Sequence, residues 1–322
     1  MPDAPAQMQC MEVWGGSQLT ARGVEMGGLD AWVYSKPYEQ ADQGGDVYYA
    51  SSCATGRISR LLLADVSGHG NAVADTAVEL RTLMRRYVNF LDQTEFVRSM
   101  NRQFVAMSNQ DRFATAVVTT FFATTRRMSI CNAGHPRPLL YRVRTGQWSI
   151  VEQKSDERPE ASNIPLGILD LTEYEQFDVE LDAGDLVICY TDALTESRQA
   201  NGEMIGEAGL LKIAQQLRAD EPGELIPSLL ANIAASHPGN LDGDDVTVLV
   251  LRPSGKRPHY SFFERFWAQL RLVGAVVRSI NPRAERPPLP DFNLANIGGA
   301  FFPRLGMRWR ASAGPAARRT SH

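Results

Sequence analysis

Little in this chain belongs to the disulfide-stapled or the membrane-spanning classes. Only four cysteines occur, Cys10, Cys53, Cys131 and Cys189, and no two stand at redox or metal-ligand spacing. Three of them lie in apolar, strand-like runs and read as buried thiols, which points to a reducing cytoplasm. No window approaches the roughly 18 uncharged apolar residues that a membrane span needs. Met1 to Thr20 has neither the basic start nor the apolar centre of a signal peptide. Internal repeats are absent too.

What is present is ordinary globular material, 43% hydrophobic and 22% charged over 322 residues, enough for one large domain or two small ones. The net charge of −4 is unevenly spread: 12 Lys/Arg stand against 3 Asp/Glu from Pro253 onward, so that segment carries +9 and the remainder −13. An acidic body argues against nucleic acid as its ligand. The chain therefore divides into an N-terminal approach segment (1–27), an acidic body (28–252) and a basic extension (253–322). Within the extension, Phe263, Trp267, Leu270, Val273 and Val277 recur at helical spacing over about 261–280, with Arg265, Arg271 and Arg278 elsewhere. A helix packed on the body is expected there; peripheral contact with an anionic membrane, or docking on a partner, is the competing expectation. Residues 281–322 are rich in Pro, Arg and Gly and read as disordered.

The body is organised around Asp65-Val66-Ser67-Gly68-His69-Gly70. An apolar run from Ile58 delivers a carboxylate to a glycine turn, and a helical pattern follows. Val73, Ala77, Leu80, Met84, Tyr87 and Leu91 mark one amphipathic helix. A second begins with Thr94 as expected cap and carries Val97, Met100, Phe104 and Met107, so that 72–109 forms a helical hairpin on a sheet. Strands are predicted at 29–35, 46–52, 57–65, 113–123, 127–132, 138–143, 147–151, 174–181, 186–190 and 246–251, with shorter helices at 207–217 and 222–235. Hairpins dominate and no β-α-β alternation appears, which predicts an antiparallel α+β layered domain.

Four acidic sites share one description: an Asp at the end of a core strand, next to Gly or other small residues. They are Asp46, Asp65, Asp192 and Asp244, the last with Asp245 beside it. Asp46 and Asp65 end two antiparallel neighbours and so meet at one sheet edge. Any one such Asp is ordinarily a cap or a turn. Several together suit a hard cation such as Mg²⁺ or Mn²⁺, and two such ions can activate a water against phosphorus, although one structural cation also fits the spacing.

The ordered motifs carry a resemblance. They are Gly44-Gly45-Asp46, Asp65 to Gly70, Phe113-Ala114-Thr115-Ala116, Asn132-Ala133-Gly134-His135, Pro165-Leu166-Gly167-Ile168, Tyr190-Thr191-Asp192 with Thr195-Glu196, Asn201 to Gly206, and Asp244-Asp245-Val246-Thr247. In this order they resemble the metal-dependent protein phosphatase 2C superfamily, most closely its bacterial SpoIIE-type serine/threonine phosphatases. The resemblance implies a four-layer α-β-β-α sandwich with two Mn²⁺ or Mg²⁺ ions at one edge. Carried over by motif, Asp65 would bridge both ions and the Val66 carbonyl would complete one site. Asp192 and Asp244 would hold the other ion, and Asp46 would contribute directly or through water. A bridging hydroxide would attack phosphoserine or phosphothreonine, so no Cys or His nucleophile is required.

The resemblance further implies a phosphoprotein substrate, such as an anti-sigma-factor antagonist, and regulation by a partner or a second copy through the helices at 72–109. It calls for Gly after Asp192, where Ala193 stands; a positive φ there would cost about 1 kcal/mol. Val47 and Tyr49 also depart from the usual pattern without removing a ligand. Competing readings are weaker. Gly44-Gly45-Asp46 lacks the Glu-Phe continuation of a cyclic-dinucleotide synthase. His69 and His135 could act as general acids, but a structural role suits His135 better. Ser67 has no triad partners and reads as a turn hydroxyl. The alternative from another class is a phosphatase-fold module that binds a phosphoprotein without catalysis.

Overall fold

Alternation along the strands decides the architecture, because successive side chains leave a strand on opposite faces. The computed structural model describes residues 6–7, 13–52, 57–67, 71–87, 92–107, 112–152, 162–170 and 172–255. In chain order these form β1 (Ala6–Gln7), β2 (Val13–Gly16), β3 (Thr20–Met26), β4 (Leu29–Lys36), a 3₁₀ turn (Tyr38–Gln40), β5 (Asp46–Ser52) and β6 (Ile58–Val66). The helices α1 (Asn71–Tyr87) and α2 (Gln93–Met107) follow. Then come β7 (Ala114–Phe122), β8 (Arg127–Ala133), β9 (Leu139–Arg142), β10 (Gln147–Ile150), β11 (Gln176–Glu180) and β12 (Leu186–Tyr190). The short α3 (Ala193–Glu196), α4 (Gly206–Ala214), α5 (Pro222–Ser236) and β13 (Val246–Pro253) complete the described chain.

The strands make two sheets, ordered β1-β3-β4-β13-β12-β9-β10 and β11-β8-β7-β6-β5-β2. Every pairing is antiparallel except that of β1 with β3. In β6, Leu61 and Leu63 enter the core shared with Val33, Val187, Cys189 and Leu249 of the other sheet. Leu62 and Ala64 face the opposite way, against Val73, Ala77, Leu80, Met84, Phe96, Val97, Met100 and Phe104 of α1 and α2. The outer face of the first sheet, with Ile188, Tyr190, Val248 and Val250, is covered by Leu210, Leu225, Leu229 and Ile233 of α4 and α5. This is the expected α-β-β-α sandwich. Leu80 is fully buried, and truncating such a side chain costs about 2–5 kcal/mol.

Two expectations change. Residues before 28 are more than an approach: β3 pairs with β4 along its length and carries β1 beside it, and β2 pairs with β5, so one sheet gains two strands there and the other gains one. Gly15 lets β2 close on β5, since a Cβ at that position would lie 2.3 Å from the Tyr48 carbonyl oxygen. The glycines and charges that made this stretch look irregular are those of strands near a sheet margin. The cap of α2 is Asp92 in place of Thr94: its Oδ1 accepts the Thr94 N–H at 3.0 Å and the Glu95 N–H at 3.2 Å. A carboxylate at that position satisfies two open N–H groups and favours the positive end of the helix dipole. The tail at 256–322, with its expected helix, and His69 lie outside the described residues, as do Tyr87's side chain, Leu91 and the turn at 54–56. Among the described residues no helix is long and apolar enough to cross a membrane.

Candidate metal centre

Register alone brings the first two carboxylates together. Asp46 opens β5 directly opposite Asp65 of β6, and Asp65 is flanked on its other side by Thr115 of β7. Both follow the parity of the residues that enter the inter-sheet core, Tyr48 and Ala50 in β5, Leu61 and Leu63 in β6. They therefore project between the sheets, at one open edge of the sandwich. The other sheet meets them there. Val187 and Cys189 of β12 point inward, and the next residue of that parity is Thr191, whose hydroxyl donates to Asp46 Oδ2 at 2.9 Å. Thr191 is itself pinned to the start of β13: its N–H donates to the Thr247 carbonyl at 3.0 Å, and the Thr247 N–H donates to its Oγ1 at 3.0 Å.

Asp192 and Asp244 extend from these two strand ends, half-buried beside the buried Asp46 and Asp245. Asp244 Oδ1 accepts the Asp245 N–H at 2.7 Å. Asp192 has φ −65° and ψ −21° and starts α3 directly. Ala193 is thus the first residue of an ordinary right-handed helix and is not among the residues with positive φ. The strain anticipated for Ala in place of Gly does not arise, because the chain passes straight from strand to helix there.

Among the described residues Asp46, Asp65 and Asp192 make no ion pair to Lys or Arg. Burial, then the charges of Asp46, Asp192, Asp244 and Asp245, push the Asp65 carboxyl up to about 10. Burial likewise raises Asp46 well above the carboxylate range, with Asp245 and Asp192 adding to it and hydrogen bonding to Thr247 and Thr191 opposing. Asp192 is raised to about 6 by burial, Glu196 and Asp244. Asp46, Asp65 and Asp192 are thus each raised by burial and then by neighbouring carboxylates.

Among the described residues no three His, Cys, Asp or Glu side chains close on one point in metal-binding geometry. The donor set suits ions of a particular kind. Mg²⁺ and its relatives keep several waters and take one or two carboxylates each, so a looser ring of acids accommodates them. Cations there would also favour the ionised forms of Asp65 and Asp46, which burial and then the neighbouring carboxylates disfavour.

The surrounding motifs are scaffolding. Ser67 is a turn residue, as expected: its N–H donates to the Phe113 carbonyl at 2.9 Å and its Oγ accepts the Phe113 N–H at 3.2 Å. His135 is buried, with Nδ1 2.8 Å from Thr115 Oγ1 and its backbone bracketed by the Asn132 amide at 2.8 Å on both sides. Burial holds its imidazole down to about 3, so it is neutral at ordinary pH and is no imidazolium acid. Leu166 exchanges two backbone bonds with Ala114, at 2.9 and 2.8 Å, which seats Pro165-Leu166-Gly167-Ile168 against β7. Sequence reasoning did not single out Thr191 as a site residue, and gave Asp245 only a place beside Asp244. The available signal was strand parity, since 187, 189, 191 and 251, 249, 247, 245 run inward to the site.

A family model described as Stage II sporulation protein E (SpoIIE) matches residues 56–254, more than half of the chain. The chain belongs to the SpoIIE family. This SpoIIE-family chain is 24% identical over 229 residues to the phosphoserine phosphatase RsbU of Bacillus subtilis (strain 168), covering 70% of itself and 63% of RsbU. It thus spans less than two thirds of that relative. Its fold is shared with the solved PP2C phosphatase domain and regulatory-domain fragment of SpoIIE from Bacillus subtilis, at a TM-score of 0.58 and 17% identity, over 76% of this chain and 64% of that one. RsbX, solved in complex with magnesium, aligns at a TM-score of 0.51 and 18% identity over 72% of this chain and 99% of its own.

Proposed function

We propose that this SpoIIE-family chain is a metal-dependent protein phosphatase acting on phosphoserine or phosphothreonine of a signalling protein. The observation that carries the reading is the cross-strand pair Asp46–Asp65, raised and unneutralised, facing Asp192 and Asp244 from the other sheet. Family membership and the likeness to a phosphoserine phosphatase support the substrate class. Two Mn²⁺ or Mg²⁺ ions bound at this edge would supply Lewis acidity to a water and to the phosphoryl oxygens. Asp65 and the Val66 carbonyl would hold ions from one sheet, Asp192 and Asp244 from the other, with Asp46 between them. Thr191 fixes the rotamer of Asp46 through its hydroxyl. Burial of Asp46 and partial burial of Asp65, Asp192 and Asp244 lower the local dielectric, which would couple these carboxylates strongly to a charge held there. An anti-sigma-factor antagonist is the substrate that the family resemblance favours. The hairpin α1–α2, which packs directly on the strands carrying Asp46 and Asp65, is the route for a regulatory partner or second copy.

The test is Mn²⁺-dependent release of phosphate from a phosphoserine peptide. Activity lost in Asp65→Ala and Asp192→Ala supports the proposal. A wild-type chain that binds phosphoprotein yet releases no phosphate with either metal would favour a non-catalytic binding module.

A further inference from the structure

We infer that Asp245 is the positioning residue of this edge, a carboxylate that sets the ligand geometry without being a ligand. It is buried, and each of its oxygens accepts a backbone N–H at 2.7 Å, Oδ1 from Tyr38 and Oδ2 from Gly45. These are charge-assisted bonds at the short end of their range. They tie the start of β13 to two points of the chain that leads into β5. Gly45 is the peptide immediately before Asp46, and its carbonyl accepts the Val66 N–H at 3.4 Å. One residue, Gly45, held through its N–H by Asp245, therefore touches both strand ends that carry the candidate ligands Asp46, Asp65 and Val66.

The grip is close. A Cβ on Gly44 would lie 2.3 Å from Asp245 Oδ1 and 2.6 Å from its Cγ, so backbone and carboxylate are in contact with no room between them. The other side of the device is Asp244, whose Oδ1 accepts the Asp245 N–H. Asp245 thus fixes the separation between one sheet's acids and the other's. This inference rests on the cation-binding reading of the edge, so its test reads metal affinity separately from turnover.

The experiment is calorimetric titration of the full chain with Mn²⁺, alongside phosphopeptide kinetics, for wild type, Asp245→Asn, Gly44→Ala and the double variant. Asp245→Asn keeps one acceptor and turns an NH₂ toward the other N–H. The expected result is a folded protein that binds Mn²⁺ at least about ten-fold more weakly, in the range seen when a group behind a ligand is lost, with kcat lowered and KM unchanged. Gly44→Ala reaches the same turn without altering the carboxylate and is expected to weaken Mn²⁺ binding similarly. Because both act through one contact, the double variant should bind little worse than the poorer single. Wild-type Mn²⁺ affinity in folded Asp245→Asn, or in Gly44→Ala should the former fail to fold, overturns the inference. A wild-type chain that binds no Mn²⁺ overturns both the inference and the cation reading beneath it.

Discussion

The two strand pairs that frame the site hold their acids in different ways. In β5 and β6 the carboxylates are members of the ladder: Asp46 and Asp65 face each other in register, and β7 fixes Asp65 from its far side. At β12 and β13 the carboxylates stand just outside the paired strands, on the turn into α3 and the turn before Val246. The first pair is placed by the backbone bonds of one sheet and cannot move without breaking them. The second pair is placed by bonds that cross between sheets, from Thr191 to Asp46 and from Asp245 to Gly45, while Asp245 also holds Tyr38 just after β4 of its own sheet. A rigid half thus faces a half whose position depends on a few side chains. The charge reflects the same division, with Asp65 raised to about 10 and Asp192 only to about 6.

The largest expected break of this contrast is Asp65→Asn. It should reduce Mn²⁺-dependent phosphopeptide hydrolysis by on the order of a thousand-fold or more, as loss of a central charge-stabilising group does. The same change should make the metal-free protein more resistant to heat near neutral pH, because an amide needs no charge relief. Asp192→Asn should also impair hydrolysis while giving a smaller gain in metal-free stability. Thermal unfolding beside steady-state kinetics separates the two.

The pH dependence of the metal-free protein should show the same ordering. A carboxyl raised in the native state keeps its proton after the unfolded chain, with its ordinary value of 3.8, has lost it. Its contribution to stability is complete below that ordinary value and is lost as pH rises, toward about 6 for Asp192 and toward about 10 for Asp65. Denaturant midpoints without metal should therefore fall across neutral pH, and Asp65→Asn should flatten the fall more than Asp192→Asn.

The difference between the halves also explains what the sequence made legible. The pair Asp46–Asp65 could be read from two uninterrupted strands and a glycine turn, because both partners obey local alternation. Thr191 looked like a neighbour of a ligand and Asp245 like a spare acid. Their partners lie 145 and 200 residues away in the chain, and no local pattern announces a hydroxyl or carboxylate aimed at them. The strands β2 and β3 were hidden by glycine and charge, since strands near a sheet margin relax the alternation that buried strands need. Ala193 shows the reverse error: a departure from a family pattern looked strained until the helix beginning there gave it an ordinary conformation.

A milder break is Thr191→Val, which removes the hydroxyl between the sheets and leaves Asp46 and the Thr247 N–H short of a partner. It should cost about 1–3 kcal/mol in denaturant unfolding, with a measurable loss of Mn²⁺ affinity. The smallest change expected is Ala193→Gly, which should restore nothing. It should lower stability by no more than about 1 kcal/mol, the helix penalty of glycine, and leave turnover near wild type.

The most direct measurement is the thermal stability of wild type and Asp65→Asn, each with and without Mn²⁺, at about pH 6 and about pH 8. In wild type, Mn²⁺ should raise the melting temperature, and by more at the higher pH, where it competes with fewer protons. In Asp65→Asn the rise should largely disappear. An equal Mn²⁺-dependent rise in the variant, or none in wild type at either pH, would contradict the assignment of this edge as the metal centre.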